Sequence, residues 1–170
     1  MIAKSLDVYA LAKLLLEKGK RPFAVVAKEI GMSASEFHAA VKRLAHAGLI
    51  DQESRKPRRK PVEEFLFHGV PYAYPAKRGA PTRGIPTSHM AAPLNSLIAV
   101  SPGTLGPVWP DGEGKVHGYA IDPLHPSAPK AAGADAALHE VLALIDALRD
   151  GRMREQQLAR EELHRRIFPA

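Results

Sequence analysis

Apolar residues recur at spacings of three and four in the first and last thirds of this chain. Between them the pattern breaks up among prolines and glycines. Near the start, Leu6, Leu11, Leu14 and Leu15 predict a helix with Ser5 as its cap and its end near Gly19. Val26, Ala27 and Ile30 predict one face of a second, short helix. Gly31 follows, where a chain leaving a helix often needs a positive φ. Met32 starts the return to the core, and Ser33 or Ser35 can cap a third helix. Phe37, Ala40, Val41 and Leu44 give that helix one buried stripe, and Leu49 to Gln52 reads as a short strand. From about residue 131 the helical period returns. Leu138, Val141, Leu142, Ile145 and Leu148 form a second stripe, Gly151 interrupts it, and Leu158, Leu163 and Ile167 continue in a charged helix. Asp146, Arg149, Asp150, Arg152 and Arg154 read as a solvated face carrying ion pairs at helical spacing, or else Arg149, Arg152 and Arg154 form an anion-facing surface.

The stretch from about 62 to 130 has a different character. Counting from Pro61, it holds 12 of the 15 prolines. Val62 to His68 predicts one or two helical turns. Val70 to Tyr74 predicts an edge strand, because Pro71 cannot donate to a ladder. Leu94 to Val100 and Val116 to Ile121 are further candidate strands, and Asp111-Gly112-Glu113-Gly114 is a turn signal before the latter. Tyr72, Tyr74, Trp109 and Tyr119 argue against a flexible linker, since a solvated linker rarely carries so many large rings. The expected fold class is α+β. A helical unit at 1–61 precedes a unit at 62–170, made of a small irregular Pro-rich β region and C-terminal helices.

Charge separates the same two parts. The chain carries a net +6. Residues 1–61 hold 13 Lys/Arg against 6 Asp/Glu, and the remainder holds 11 against 12. The whole excess therefore lies on the N-terminal part, as expected of a phosphate binder. Its densest stretch is Arg55, Lys56, Arg58, Arg59 and Lys60, which suits a nucleic-acid backbone or a solvated linker. The segment 77–89, with Lys77, Arg78 and Arg83, reads as a polar loop that touches phosphate or an anionic ligand, or as an ordinary surface loop.

Other chemistry finds little support. The absence of cysteine excludes disulfides, thiol catalysis and cysteine-based zinc sites. No apolar run reaches about 18 residues, and the N-terminus lacks the apolar core of a signal peptide, so a cytoplasmic protein without a membrane span is expected. His38 and His46 lie eight residues apart and cannot share a metal within one helix. His117 and His125, with Asp122 between them, are a pair that a turn could bring together. No phosphate loop or nucleophile elbow follows any glycine pair. No enzyme activity, metal or cofactor is expected.

Ala27, Gly31 and Phe37 stand at the spacing of the helix-turn-helix signature of bacterial transcriptional regulators. The ending Leu44-Ala45-His46-Ala47-Gly48-Leu49-Ile50 resembles the exit from recognition helix into wing in winged-helix regulators of the MarR type. The resemblance covers roughly residues 5–60. It implies a winged helix-turn-helix that binds double-stranded DNA, with Ser33, Ser35, Glu36 and His38 toward the bases and Lys42 and Arg43 toward phosphate. A dimeric repressor follows from the motif's use on palindromes, with the 138–148 stripe as the candidate interface. The architecture also resembles antitoxins that repress their own operon and neutralise a partner toxin, and that reading stays open beside the first. A nucleic-acid enzyme would need an acid/base or metal cluster that the sequence does not display.

Overall fold

The computed structural model describes residues 3–167. Helix α1 spans Ser5–Leu16, α2 Phe23–Glu29 and α3 Ala34–His46. The cap of α1 is Lys4, one residue before the expected Ser5. Its backbone N–H donates to Asp7 Oδ2 at 2.8 Å, so an acidic residue in the first turn reaches back to the free donor. From Asp7 to Leu14 every residue of α1 is buried, because α3 packs on one side and α7 on another. Even Lys13 lies inside, with Nζ 2.8 Å from Glu29 and 3.5 Å from Asp135. It ties α2 to the C-terminal helices through α1.

Gly31 turns the chain from α2 to α3 at φ +68°. Met32 N–H closes the turn on Ala27 O at 2.9 Å. Tyr9 supports it from below, donating its hydroxyl to Ile30 O at 2.8 Å while its ring stacks on His125. A Cβ on Gly31 would stand 2.6 Å from Ser127 Oγ. Gly31→Ala should therefore cost about 1–2 kcal/mol for the left-handed backbone alone, and more for the overlap. Denaturant unfolding checks this, and an unchanged midpoint would mean that the turn relaxes freely.

After α3 a tight hairpin runs from Leu49 to Arg58. It is held by the Ile50–Pro57 bridge and by Asp51 N–H to Lys56 O at 2.9 Å. Helix α4 then spans Arg59–His68 and α5 Val70–Ala73. The basic run is therefore not one extended segment, because Arg59 and Lys60 open a helix. Residues 70–73 are helical rather than an edge strand. A missing N–H costs nothing in a first turn, and Pro71 occupies that place.

Strands β1 (Arg78–Pro86), β2 (Pro107–Pro110) and β3 (Val116–Ile121) form the β region. β1 is antiparallel to both others, with Gly84 opposite Pro110 on one side and Val116 on the other. β2 and β3 run parallel, which closes the three strands on themselves. Such tight closure needs glycine: a Cβ at Gly84 would overlap the Trp109 carbonyl, and one at Gly118 the Gly106 carbonyl. The expected basic loop at 77–89 is thus largely strand. The expected strand at 94–100 is a 3-10 turn, Leu94–Ser96, followed by loop. Leu94 alone fills a core position there.

Helices α6 (Ala128–Ala134), α7 (Ala136–Asp150) and α8 (Met153–Ile167) complete the chain. Asp135 caps α7, accepting Leu138 N–H at 3.1 Å. Leu138, Val141, Leu142, Ile145 and Leu148 are all at most 2 % exposed, covered by α1, α5, α6, α8 and the 3-10 turn Ser88–Met90. The stripe is core of the protomer and is not free to serve as a dimer interface. Nor is the charged face solvated at Asp146 and Asp150. Both turn inward toward the strands, where Asp146 accepts from Thr87 Oγ1 (2.7 Å), Trp109 Nε1 (2.8 Å) and Arg149 (2.6 Å).

Candidate nucleic-acid interface

Ser33 and Glu36 form a reciprocal cap on α3. Ser33 Oγ accepts Glu36 N–H at 3.1 Å, and Glu36 Oε2 accepts Ser33 N–H at 2.9 Å. The Ser33 backbone N–H, with the Ser33 hydroxyl beside it, holds the Glu36 carboxyl below the usual carboxylate range. Ser35 Oγ lies 3.2 Å from Ser33 Oγ. Phe37, Ala40, Val41 and Leu44 face the core. By the helical period the opposite face then carries Ser35, His38, Lys42 and His46, and all four are exposed.

Adjacent positions part company at the next turn. Lys42 is exposed, whereas Arg43 folds back onto fully buried Asp7. Its Nε and one terminal nitrogen each lie 2.8 Å from a carboxylate oxygen. That bidentate pair occupies the guanidinium, so Arg43 fastens α3 to α1 and does not reach outward as expected.

The basic run divides in the same way. Arg55, at φ +59°, lays its guanidinium 3.6 Å over the Phe23 ring and donates to Arg21 O at 2.5 Å. It staples the hairpin to α2 and is only partly exposed. Arg58 reaches the Gly48 carbonyl at 3.4 Å. Arg59 lies 3.0 Å from His164 Nε2 and 3.7 Å from Glu63, which joins α4 to α8. Lys42, Lys56 and Lys60 remain, exposed and without an ion-pair partner among the described residues.

A groove of about 410 Å³ runs between α3 and the hairpin, lined by Lys20, Phe23, His38, Lys42, Gln52 and Arg55, among others. Lys20 and Gln52 were not singled out in the sequence. Lys20 follows Gly19 in an unremarkable connection, and only folding brings it to the hairpin, where Nζ donates to Glu53 O at 2.7 Å. Of the β-region cations, Arg78 pairs with Asp150 at 2.9 Å, while Lys77 and Arg83 are exposed.

A second, more polar cavity of about 260 Å³ lies on the β region. It is bordered by Arg78, His89, residues 98–101, Thr104, Leu105, Tyr119 and the α7–α8 corner. Asp150, nearly inaccessible at its side chain, binds Arg78 and accepts from Tyr119 Oη at 2.7 Å there. Burial, with the Asp150 carboxylate adding to it, pushes the Tyr119 phenol well above its ordinary range. Ser88 beside it sits at φ +54°. Ser88 Oγ and His89 Nδ1 are buried without a hydrogen-bond partner among the described residues. Each such group costs about 1–3 kcal/mol. No three His, Asp or Glu side chains are grouped for a metal among the described residues, and none of the described helices is long and apolar enough to cross a membrane. Comparison with protein-family models, with curated proteins and with solved structures finds no match to this chain.

Proposed function

We propose that this chain is a winged helix-turn-helix protein that binds double-stranded DNA and regulates transcription. In this reading α2, the Gly31 turn and α3 form the helix-turn-helix, and the 49–58 hairpin is a short wing. The observation that carries it is the exposed face of α3. Ser35, His38, Lys42 and His46 lie in one row beside a groove whose far wall is the hairpin. A helix of this length fits the major groove with its N-terminal residues at base edges. Ser35 and His38 then face bases, and Lys20, Lys42, Lys56 and Lys60 meet phosphate. Ser33 and Glu36 preorganise the helix start, with one Glu36 oxygen left to accept from a cytosine amino group.

Repression as a homodimer is part of the proposal, since two-fold proteins read palindromes. Its interface must use a surface other than the buried 138–148 stripe. The toxin-neutralising alternative gains no specific observation from the fold.

Fluorescence anisotropy with a duplex from the chain's own upstream region, at several salt concentrations, tests the reading. Changing Lys42 and Lys56 together to Ala should weaken binding and flatten the slope of log affinity against log salt by about 1.8. Ser35→Ala should change the preferred sequence, with a cost of about 1–3 kcal/mol at one base pair. Absence of salt-dependent binding by the unaltered protein would overturn the proposal.

A further inference from the structure

The cavity on the β region is independent of the proposed DNA face, and its lining is unusual in one respect. It presents unpaired charges of both signs beside an apolar wall. Arg152 and Glu155 both line it, and neither side chain makes a hydrogen bond or ion pair among the described residues. Arg78 and Asp150 also line it but are joined to each other, with Tyr119 completing their cluster. Ile98, Val100 and Leu105 supply the wall, and Leu105 is left 42 % exposed.

The neighbouring 3-10 turn, Ser88–Met90, is strained and under-satisfied. Ser88 adopts a backbone region that non-glycine residues seldom occupy, and two buried polar atoms of the turn have no partner among the described residues. Strain of this kind persists where the surroundings impose it, and it clusters at ligand sites. Burial lowers the His89 pKa, while the charges of Glu155, Asp150, Arg78 and Arg152 all act on its ring, so one small space gathers them.

We propose that this cavity binds a small zwitterion with an aliphatic side chain, of the α-amino acid class represented by leucine, isoleucine and valine. Arg152 takes the carboxylate, Glu155 the ammonium group, and Ile98, Val100 and Leu105 the side chain. A ligand with one charge would leave either Arg152 or Glu155 unmatched. A volume of about 260 Å³ lies just under the usual range for drug-sized ligands, about 300–1,000 Å³, which suits a molecule of this size.

The test uses the full chain, with L-leucine, L-isoleucine and L-valine as probes in calorimetry and in amide chemical-shift mapping. Two analogues each lack one charge: 4-methylpentanoate and 3-methylbutylamine. At least one amino acid should bind saturably at one site, shifting amides of residues 88–89, 98–105 and 150–155. Each analogue should bind at least about tenfold more weakly. Arg152→Ala and Glu155→Gln should each weaken binding by about tenfold or more, with the stability of the ligand-free protein kept within about 0.5 kcal/mol, because Arg152 is exposed and neither side chain makes a hydrogen bond or ion pair among the described residues. No saturable binding by any of the three up to about 10 mM would overturn the proposal. So would equal binding of the single-charge analogues, or binding that both variants leave intact. DNA binding is measured separately and has no bearing on any of these outcomes.

Discussion

Asp146→Ala is expected to cost about 3–5 kcal/mol of folding stability, since removing one partner of a buried ion pair leaves the other charge uncompensated. Asp146 is 1 % exposed on the inner face of α7. Burial pushes its carboxyl up, while Arg149, Thr87 and Trp109 pull the other way by binding the ionised form. Those three come from different parts of the fold: Arg149 from the same helix, Thr87 from just after β1 and Trp109 from β2. Arg149 is itself tied down, donating to Tyr74 O at 2.7 Å. Alanine would leave the Arg149 guanidinium without its carboxylate, and the Trp109 indole N–H and the Thr87 hydroxyl without the oxygen they donate to. A loss of this size is a large share of the about 5–15 kcal/mol that holds a typical domain folded. The melting midpoint should fall by about 6–20 °C. Asp146→Asn keeps one oxygen, the acceptor that Thr87 and Trp109 share, but loses the charge opposite Arg149, and should fall between. A midpoint for Asp146→Ala within about 0.5 kcal/mol of the unaltered protein would show that the carboxylate does not join the strands to α7.

Arg43→Ala should lower stability by about 3 kcal/mol, while its neighbour Lys42→Ala leaves stability within about 0.5 kcal/mol. The two cations are adjacent in sequence and about 100° apart around the helix. That rotation puts one on Asp7, which is fully buried, and the other in solvent. Once Arg43 is gone, the Asp7 carboxylate keeps only the Lys4 N–H as a hydrogen-bond partner among the described residues. DNA binding should respond in the opposite order, measured well below the melting temperature. Lys42→Ala should flatten the salt slope by about 0.9, and Arg43→Ala should leave it unchanged. A stable Arg43→Ala protein with a flattened slope would make Arg43 a phosphate contact after all.

Much of the helical part was legible along the chain. A stripe at spacings of three and four fixes which side of a helix is buried whatever it packs on, so Phe37, Ala40, Val41 and Leu44 could be read directly. Gly31 was legible, and the cap was narrowed to Ser33 or Ser35, because a positive φ and an N-cap are local needs with a short list of suitable residues. Val116 to Ile121 and the turn before it were likewise visible. The candidate groove was legible only in part: the outward residues of α3 follow from its period, whereas Lys20 and Gln52 join them by tertiary approach.

What the tertiary structure alone decided concerns partners distant in sequence. Segment 77–89 carries no strand pattern, yet it becomes β1 because β2 and β3 pair with it on both sides and its glycines let them close in. Residues 70–73 could satisfy Pro71 either at a sheet edge or in a first helical turn, and packing chose the helix. Charge was the least legible property. Nothing in the sequence separates Arg43 from Lys42, or Asp146 from a surface aspartate, because burial of a charge depends on its counter-charge. Those counter-charges and donors are 36 residues away for Arg43, and 59 and 37 residues away for two of Asp146's three. The apolar stripe at 138–148 specified that it would be covered. Whether a second copy or the chain's own α1, α5 and α8 would cover it was settled only when those helices came together, since either gives the same removal of apolar surface from water.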